Sequence, residues 1–459
     1  MTLLVCENDT RSKRAEEHRM TIFSEWNSRR MSALRWAGAL GLGMAGAAMP
    51  QTAIAATNLI AGQFLGSAAA IQAQAVVGPL TLGLGTSSSE GCPCAGTNGK
   101  TLRDVVSSLS IGANGSLAQA TTNISTAYGL KTTTTATTQQ TTTISKLNVL
   151  GGLITADAVK AVADVDVTAS TLTPGFSGSK LVNLVIAGQK IDPAVAENTA
   201  IQVANLGTVT VKFVNQVIYG TQAAGIEVEM LRIQVNQSNS LGLPVGAVIV
   251  VGEAFAGYNR VQPGATIGGY AETLAVTANA GSLLQAAAAG GALSDVGGCS
   301  GTGGTTLTDT VDNLSAGGLL TLGTATTTAF GGPVGKANVA KTTSTLANLS
   351  LLGGLITATS IEADAEESRT GNVSTASTLG STFGSLVVAG VPVAENVAPN
   401  TVISVAGLGT VVLNEQPPAS KGHIQVNGLH IVVGSSNSYG LPVGAQIFVS
   451  HAEATATAF

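Results

Sequence analysis

The side chains of this chain that could do chemistry are few. Beyond residue 55 it has three histidines, His423, His430 and His451, all in its last forty residues. General acid–base or nucleophilic catalysis would have to draw on them, or on two carboxylates sharing a pocket. An imidazole pair on neighbouring strands would bind a metal or titrate near neutral pH. His430 and His451 are the candidates for that role, and the plainer expectation is two surface histidines on sheet faces. The acidic residues Asp157, Asp164, Asp166, Glu362, Asp364 and Glu366 fall in alternating apolar stretches and lack the glycine-punctuated spacing of a calcium loop. A solvated strand face is expected for them. No glycine-rich phosphate loop lies between a strand and a helix, and no G-x-S-x-G elbow has a histidine to serve it. No catalytic or cofactor-binding residue is therefore assigned, and no cofactor is expected.

Cysteine chemistry is equally spare. Cys92-Pro93-Cys94 is too tight for an easy mutual bond, so one of the two is expected to join Cys299, with Cys94–Cys299 the candidate bridge. A metal site of the three thiols lacks a fourth ligand.

What must position these residues begins with export. Arg29, Arg30 and Arg35 precede the apolar run Ala37 to Ala48 and then Ala53-Ile54-Ala55. A basic segment, a short apolar run and an A-x-A site describe a secretory signal, the run being too short for the ~20 residues of a membrane span. Residues 1–55 are read as extension and signal peptide, removed after Ala55. Ser28-Arg29-Arg30 resembles a twin-arginine signal, but Ser32 and Ala33 suit Sec export as well. Stable membrane insertion after cleavage is not expected. Cleavage would leave 14 basic and 21 acidic residues, a net charge of −7, and no tryptophan. Charged residues make up 10% of the chain, against roughly 25% in ordinary domains, which excludes a solvated disordered chain and a nucleic-acid binder.

The chain repeats itself. Leu150 to Ala156 recurs letter for letter at Leu352 to Ala358, and Ser238 to Ala247 recurs at Ser436 to Ala445 with one change, Leu241 to Tyr439. Leu206-Gly207-Thr208-Val209 matches Leu408-Gly409-Thr410-Val411, and Cys94 falls on Cys299. Offsets drifting from 205 to 198 indicate one ancestral unit of about 195 residues copied once, a domain rather than a solenoid repeat. The alignment also sets Arg232 against His430 and Glu253 against His451, an ion pair in one copy and two imidazoles in the other, facing each other if their strands are neighbours.

Local signals are those of strands. Gly151-Gly152 sits between apolar runs as a tight turn needing positive φ, and Ala187-Gly188 does likewise. Asp164 to Val167 and His451 to Ala458 alternate with period 2. The threonine-rich residues 131 to 143 are expected as an edge strand or long hairpin. The fold class is all-β: two tandem antiparallel β-sandwich-like domains, 56–255 and 269–459, joined by a linker at 256–268. A single parallel β-helix is the alternative.

The Leu-Gly-Gly-Leu-Ile-Thr-Ala hairpins, Leu-Gly-Thr-Val strands, Gly-Leu-Pro-Val-Gly turns and the Leu429-His430 and His451-Ala452 strands resemble the choice-of-anchor P family of exported bacterial proteins. The resemblance spans residues 66 to 459 twice over. It implies an extracellular or cell-surface β-rich protein and no activity. This sequence departs from the anchored pattern, since nothing after Ala452 reads as an anchor. The expected function is a secreted or surface non-enzymatic structural or adhesive protein whose partner is an unidentified cell-surface or wall component. The alternative is an exported hydrolase of cell-wall polymer.

Overall fold

A computed structural model describes residues 59–458 apart from short segments at 78–79, 85–87, 112–116, 242, 244, 261–264, 280–284, 298, 300, 317–318, 378–381, 419–421, 440 and 442. The expected signal peptide lies outside the described residues.

The chain opens with β1 (Gln63–Val77) and β2 (Leu80–Leu84), a hairpin of the largest sheet, then the short β3 (Ser89–Gly91). A separate sheet follows, built from β4 (Leu102–Val106), β5 (Leu109–Ile111), β6 (Ala118–Ala120), β7 (Thr122–Lys131), β8 (Ala136–Val149) and β9 (Ile154–Val167). The strands β10 (Leu172–Gly175), β11 (Lys180–Val182), β12 (Val185–Ile186) and β13 (Gln189–Lys190) complete it. The chain then returns to the large sheet as β14 (Thr199–Val203), β15 (Gly207–Tyr219), β16 (Ala223–Val235) and β17 (Val248–Asn259).

The itinerary is then repeated. First come β18 (Thr266–Asn279) and β19 (Gln285–Asp295) in the large sheet. A third sheet follows, of β20 (Thr306–Ala316), β21 (Leu320–Val334), β22 (Ala337–Leu351), β23 (Ile356–Thr370), β24 (Val373–Ser377), β25 (Thr382–Gly384), β26 (Val387–Val388) and β27 (Val391–Pro392). Last are β28 (Thr401–Val405), β29 (Gly409–Glu415), β30 (His423–Val433) and β31 (Gln446–Thr457), again in the large sheet. Every described ladder is antiparallel, which overturns the parallel β-helix, and among the described residues no sheet closes into a barrel.

The large sheet runs through both copies in the order β14-β15-β16-β17-β1-β2-β19-β18-β31-β30-β29-β28. Each copy packs its own smaller sheet on its half, β8 and β9 against β17 and β22 and β23 against β31. Separate apolar cores fill the two sandwiches, one around Phe64, Ile144, Met230 and Tyr258, the other around Leu346, Ile361, Leu429 and Val449. A third cluster, rich in alanine, continues the second core through Ala340, Ala363, Ala452 and Ala454. The span expected as a linker is corrected: β17 runs to Asn259 and β18 starts at Thr266, so sheet pairing claims most of 256–268. Residues 256–259 and 266–268 are strand because each has a ladder partner in β1 or β31.

The glycine turns form as their sequences demand. Leu150, Gly151 and Gly152 have φ of 56°, 64° and 92°, and Leu352, Gly353 and Gly354 repeat them at 54°, 65° and 90°. The threonine run is a hairpin arm: Thr132 to Thr135 turn tightly, and β8 lies inside its sheet between β7 and β9. Each long strand carries one irregularity, and these align across the sheet. Ladders skip Ala70, Gly252, Met230 and Lys212 in the first copy and Thr273, Ser450, Gly428 and Asn414 in the second. Both strands of each pair skip one residue, so the register is kept while the set of side chains facing the core changes parity. In β31 the core positions are Ile447 and Val449 before the skipped Ser450 and Ala452, Ala454 and Ala456 after it.

Candidate functional site

The three histidines of the described chain share the face of the large sheet that points away from the second core. Core residues Ile424, Val426, Leu429 and Ile431 alternate with His423, Asn427 and His430 along β30, with the skipped Gly428 between Asn427 and Leu429. One row of this face crosses four strands. Glu272 on β18 pairs with His451 on β31, His451 with Asn427 on β30, and Asn427 with Glu415 on β29. Directly paired residues point the same way, so four polar side chains stand side by side.

Hydrogen bonds join most of the row. Asn427 Nδ2 donates to Glu415 Oε2 at 2.6 Å, so its Oδ1 is left to accept from His451 Nδ1, also at 2.6 Å. His430, one row along, is 2.9 Å from Glu415 Oε1 through Nδ1 and 3.0 Å from Gln446 Oε1 through Nε2. Its ring stacks on Phe448 at 4.3 Å, while Tyr270 lies 4.8 Å from His451. His423 Nδ1 is 3.1 Å from Thr455 Oγ1 and 3.7 Å from Glu453.

Burial sets the charges. His451 is 4% exposed, and desolvation, with His423 adding to it, pushes its imidazole down to about 3, so the ring is neutral at pH 7. With Nδ1 protonated toward Asn427, the Nε2 lone pair is buried without a hydrogen bond, 3.9 Å from Glu453. Glu272 is 7% exposed, and desolvation, with the nearby Glu453 charge adding to it, raises its carboxyl to about 8. Burial works against the charge of Glu415 too, but His430 and Asn427 outweigh it and hold that carboxyl below its ordinary value.

The first copy places different chemistry at the same positions. Its row reads Ala69, Glu253, Glu229, Phe213. Arg232 donates to both oxygens of Glu229 at 2.9 and 3.0 Å and lies over the Phe213 ring, and Gln72 donates to Glu253. The expected pairing of Arg232 with Glu253 is corrected. Glu253 stands opposite Glu229, and Arg232 opposite Val250, because the β16–β17 register sets Arg232 three positions along from the Glu229–Glu253 row. For the same reason His430 faces Phe448 rather than His451. His430 and His451 do meet one chemical group, the Glu415–Asn427 pair, which joins them as a relay. Among the described residues, no three His, Cys, Asp or Glu side chains are grouped to hold a metal.

The other candidates lie elsewhere. Asp157 is bound by Asn183 and Lys146 at the surface, which hold its carboxyl below the usual range. Asp166 accepts from Thr137, and burial, with Asp166 beside it, raises Asp164. Lys341 bridges Asp364 and Glu366 at 3.1 and 3.5 Å, while burial raises Glu362. Asp364 is itself buried, a correction to the solvated face expected of it. Cys94 is bonded to Cys299, and Leu65 and Phe255 pack around the bridge. Cys92 is a free thiol, pushed by burial up to about 11.

Sequence reasoning missed Glu272, Glu415, Asn427, Gln446 and Glu453. The period-2 pattern of β30 and β31 signals a polar face, but which residues share a row depends on register. No protein-family model matches the chain, and no curated protein matches it.

Proposed function

We propose that this protein is an exported, non-enzymatic structural or adhesive module that acts outside the cytoplasmic membrane, in keeping with its resemblance to the choice-of-anchor P family. The observation that carries the reading is how the imidazoles are committed. Both nitrogens of His430 are held within the protein, and His451 is buried with its Nδ1 bound to Asn427. A general base needs a nitrogen within reach of a substrate proton; neither of these rings offers one, and His423, at the edge of the face, sets its Nδ1 against Thr455. The architecture supports a display role as well: two sandwiches of one duplicated unit share a continuous sheet, and paired weak contacts gain avidity.

The test is fractionation of a producing culture with N-terminal sequencing. The expected result is protein outside the cytoplasmic membrane beginning near Ala56, whose attachment to cells falls when one copy is deleted. Turnover of wall polymer by the purified protein, abolished by His430→Ala with His451→Ala, would overturn the reading in favour of an exported hydrolase.

A further inference from the structure

Gly83 and Ala287 are paired with each other across the junction of the two copies, and they are also each other's counterparts. The second statement follows from three ladders. The Ser238 and Ser436 repeats align β17 with β31, so Val248 corresponds to Gln446. These residues pair with Gln74 and Thr277, which therefore correspond. Gln74 pairs with Gly83 and Thr277 with Ala287, so Gly83 corresponds to Ala287. The seam then pairs Gly83 with Ala287 directly, flanked by Leu82 with Ala288 and Leu84 with Ala286. A residue paired with its own counterpart marks a two-fold axis. Because directly paired residues point to the same face, that axis is perpendicular to the sheet.

Cys94 and Cys299 carry the same signature independently. They too are counterparts, and they are bonded to each other. Two contacts, each between residues more than 200 apart in sequence, one of backbone and one covalent, thus join equivalent points of the two copies. This is the arrangement of an isologous two-fold interface, in which one surface patch meets itself.

We propose that the seam is a self-complementary interaction surface whose fitting partner is a second copy of the same unit. First unit pairs with first and second with second, as well as one with the other. Antiparallel main-chain pairing asks little of side chains, and the two seam strands, Leu-Thr-Leu-Gly-Leu and Gln-Ala-Ala-Ala-Ala-Gly, are already dissimilar. A unit lacking its neighbour would present an open strand edge and an unpaired thiol, each answered by another copy of itself. In the intact chain the tethered neighbour wins because its effective concentration is far higher than that of any other molecule.

The experiment uses the full chain in a Cys6→Ser, Cys92→Ser background, leaving only Cys94 and Cys299, with a protease site replacing residues 261–264. The folded protein is cut, denatured, refolded in a glutathione redox buffer and read by non-reducing electrophoresis and native mass spectrometry. Disulfide-linked like pairs, Cys94–Cys94 and Cys299–Cys299, are expected within a few-fold of the statistical half of all pairs. The uncut chain treated in parallel should return as monomer. Native mixing of two cut, reduced samples of different mass reads the same exchange without denaturation. Recovery of unlike pairs alone, or of folded units that do not pair, would overturn the proposal.

Discussion

Glu272 and His451 stand opposite each other on β18 and β31, both buried, and burial drives each to its neutral form by opposite shifts. The carboxyl is raised from 4.5 to about 8 and the imidazole lowered from 6.5 to about 3. A neutral acid beside a neutral base avoids the cost of isolated buried charge. Glu453 adds to the upward shift of Glu272, and Glu415 works against the downward shift of His451.

The pair predicts a signed pH dependence. Between pH 3 and 6.5 the unfolded chain binds the His451 proton and the folded chain does not, so stability rises with pH there. Between 4.5 and 8 the folded chain holds the Glu272 proton and the unfolded chain does not, so that contribution falls as pH rises. The two offset each other from 4.5 to 6.5. Urea unfolding from pH 3 to 9 should show Glu272→Gln losing the fall in stability with rising pH above 6.5 and His451→Gln losing the rise in stability with pH below 4.5. Each slope approaches about 1.4 kcal/mol per pH unit. Variants parallel to wild type at all pH would refute the assignment.

Asn427→Asp is nearly isosteric but exchanges the donor to Glu415 for a second carboxylate at 2.6 Å. It should destabilise the protein by about 1–3 kcal/mol at pH 7, relieved in acid, since an uncompensated buried group forfeits its desolvation. His451, left beside a new negative charge, should titrate higher by NMR. An unchanged His451 titration would show that the two side chains do not communicate.

Gly207 and Gly409, the glycines of the duplicated Leu-Gly-Thr-Val motif, have φ of 143° and 144°. A Cβ there would lie 2.2 Å from Gln234 O and 2.1 Å from Val432 O. Gly207→Ala and Gly409→Ala should each cost more than the roughly 1–3 kcal/mol of the backbone conformation alone. Gly151→Ala, with φ of 64° and open space around its Cβ, should cost about 1 kcal/mol. Equal losses of thermal midpoint in all three would contradict this account.

The Cys94–Cys299 bridge spans 205 residues, so the Cys94→Ser, Cys299→Ser double variant should lose about 2–5 kcal/mol in denaturant unfolding. Cys92 should resist alkylation at pH 8 in the folded chain and react on denaturation, because its thiolate is disfavoured by burial. Rapid labelling of native protein would place Cys92 at the surface instead.

Much of this fold was legible without coordinates, because it is written in local rules. Alternation with period 2 marked the strands of Asp164 to Val167 and His451 to Thr457, and glycine pairs marked hairpin turns where positive φ is required. The exact recurrence of Leu150 to Ala156 announced two copies of one unit. Local pattern does not encode which strand lies beside which, or in what register. That the two copies share one sheet through β2 and β19 rests on non-local main-chain pairing, to which Leu82 and Ala288 contribute no recognisable signature. The polar row likewise joins Glu272, Glu415 and His451 across four neighbouring strands, and the register of those strands decides which side chains meet. Sequence set the alternation and the turns through the backbone preferences of each residue. Tertiary structure alone set the neighbours, because register is fixed by the summed pairing of whole strands, and with it the burial that leaves His451 and Glu272 neutral.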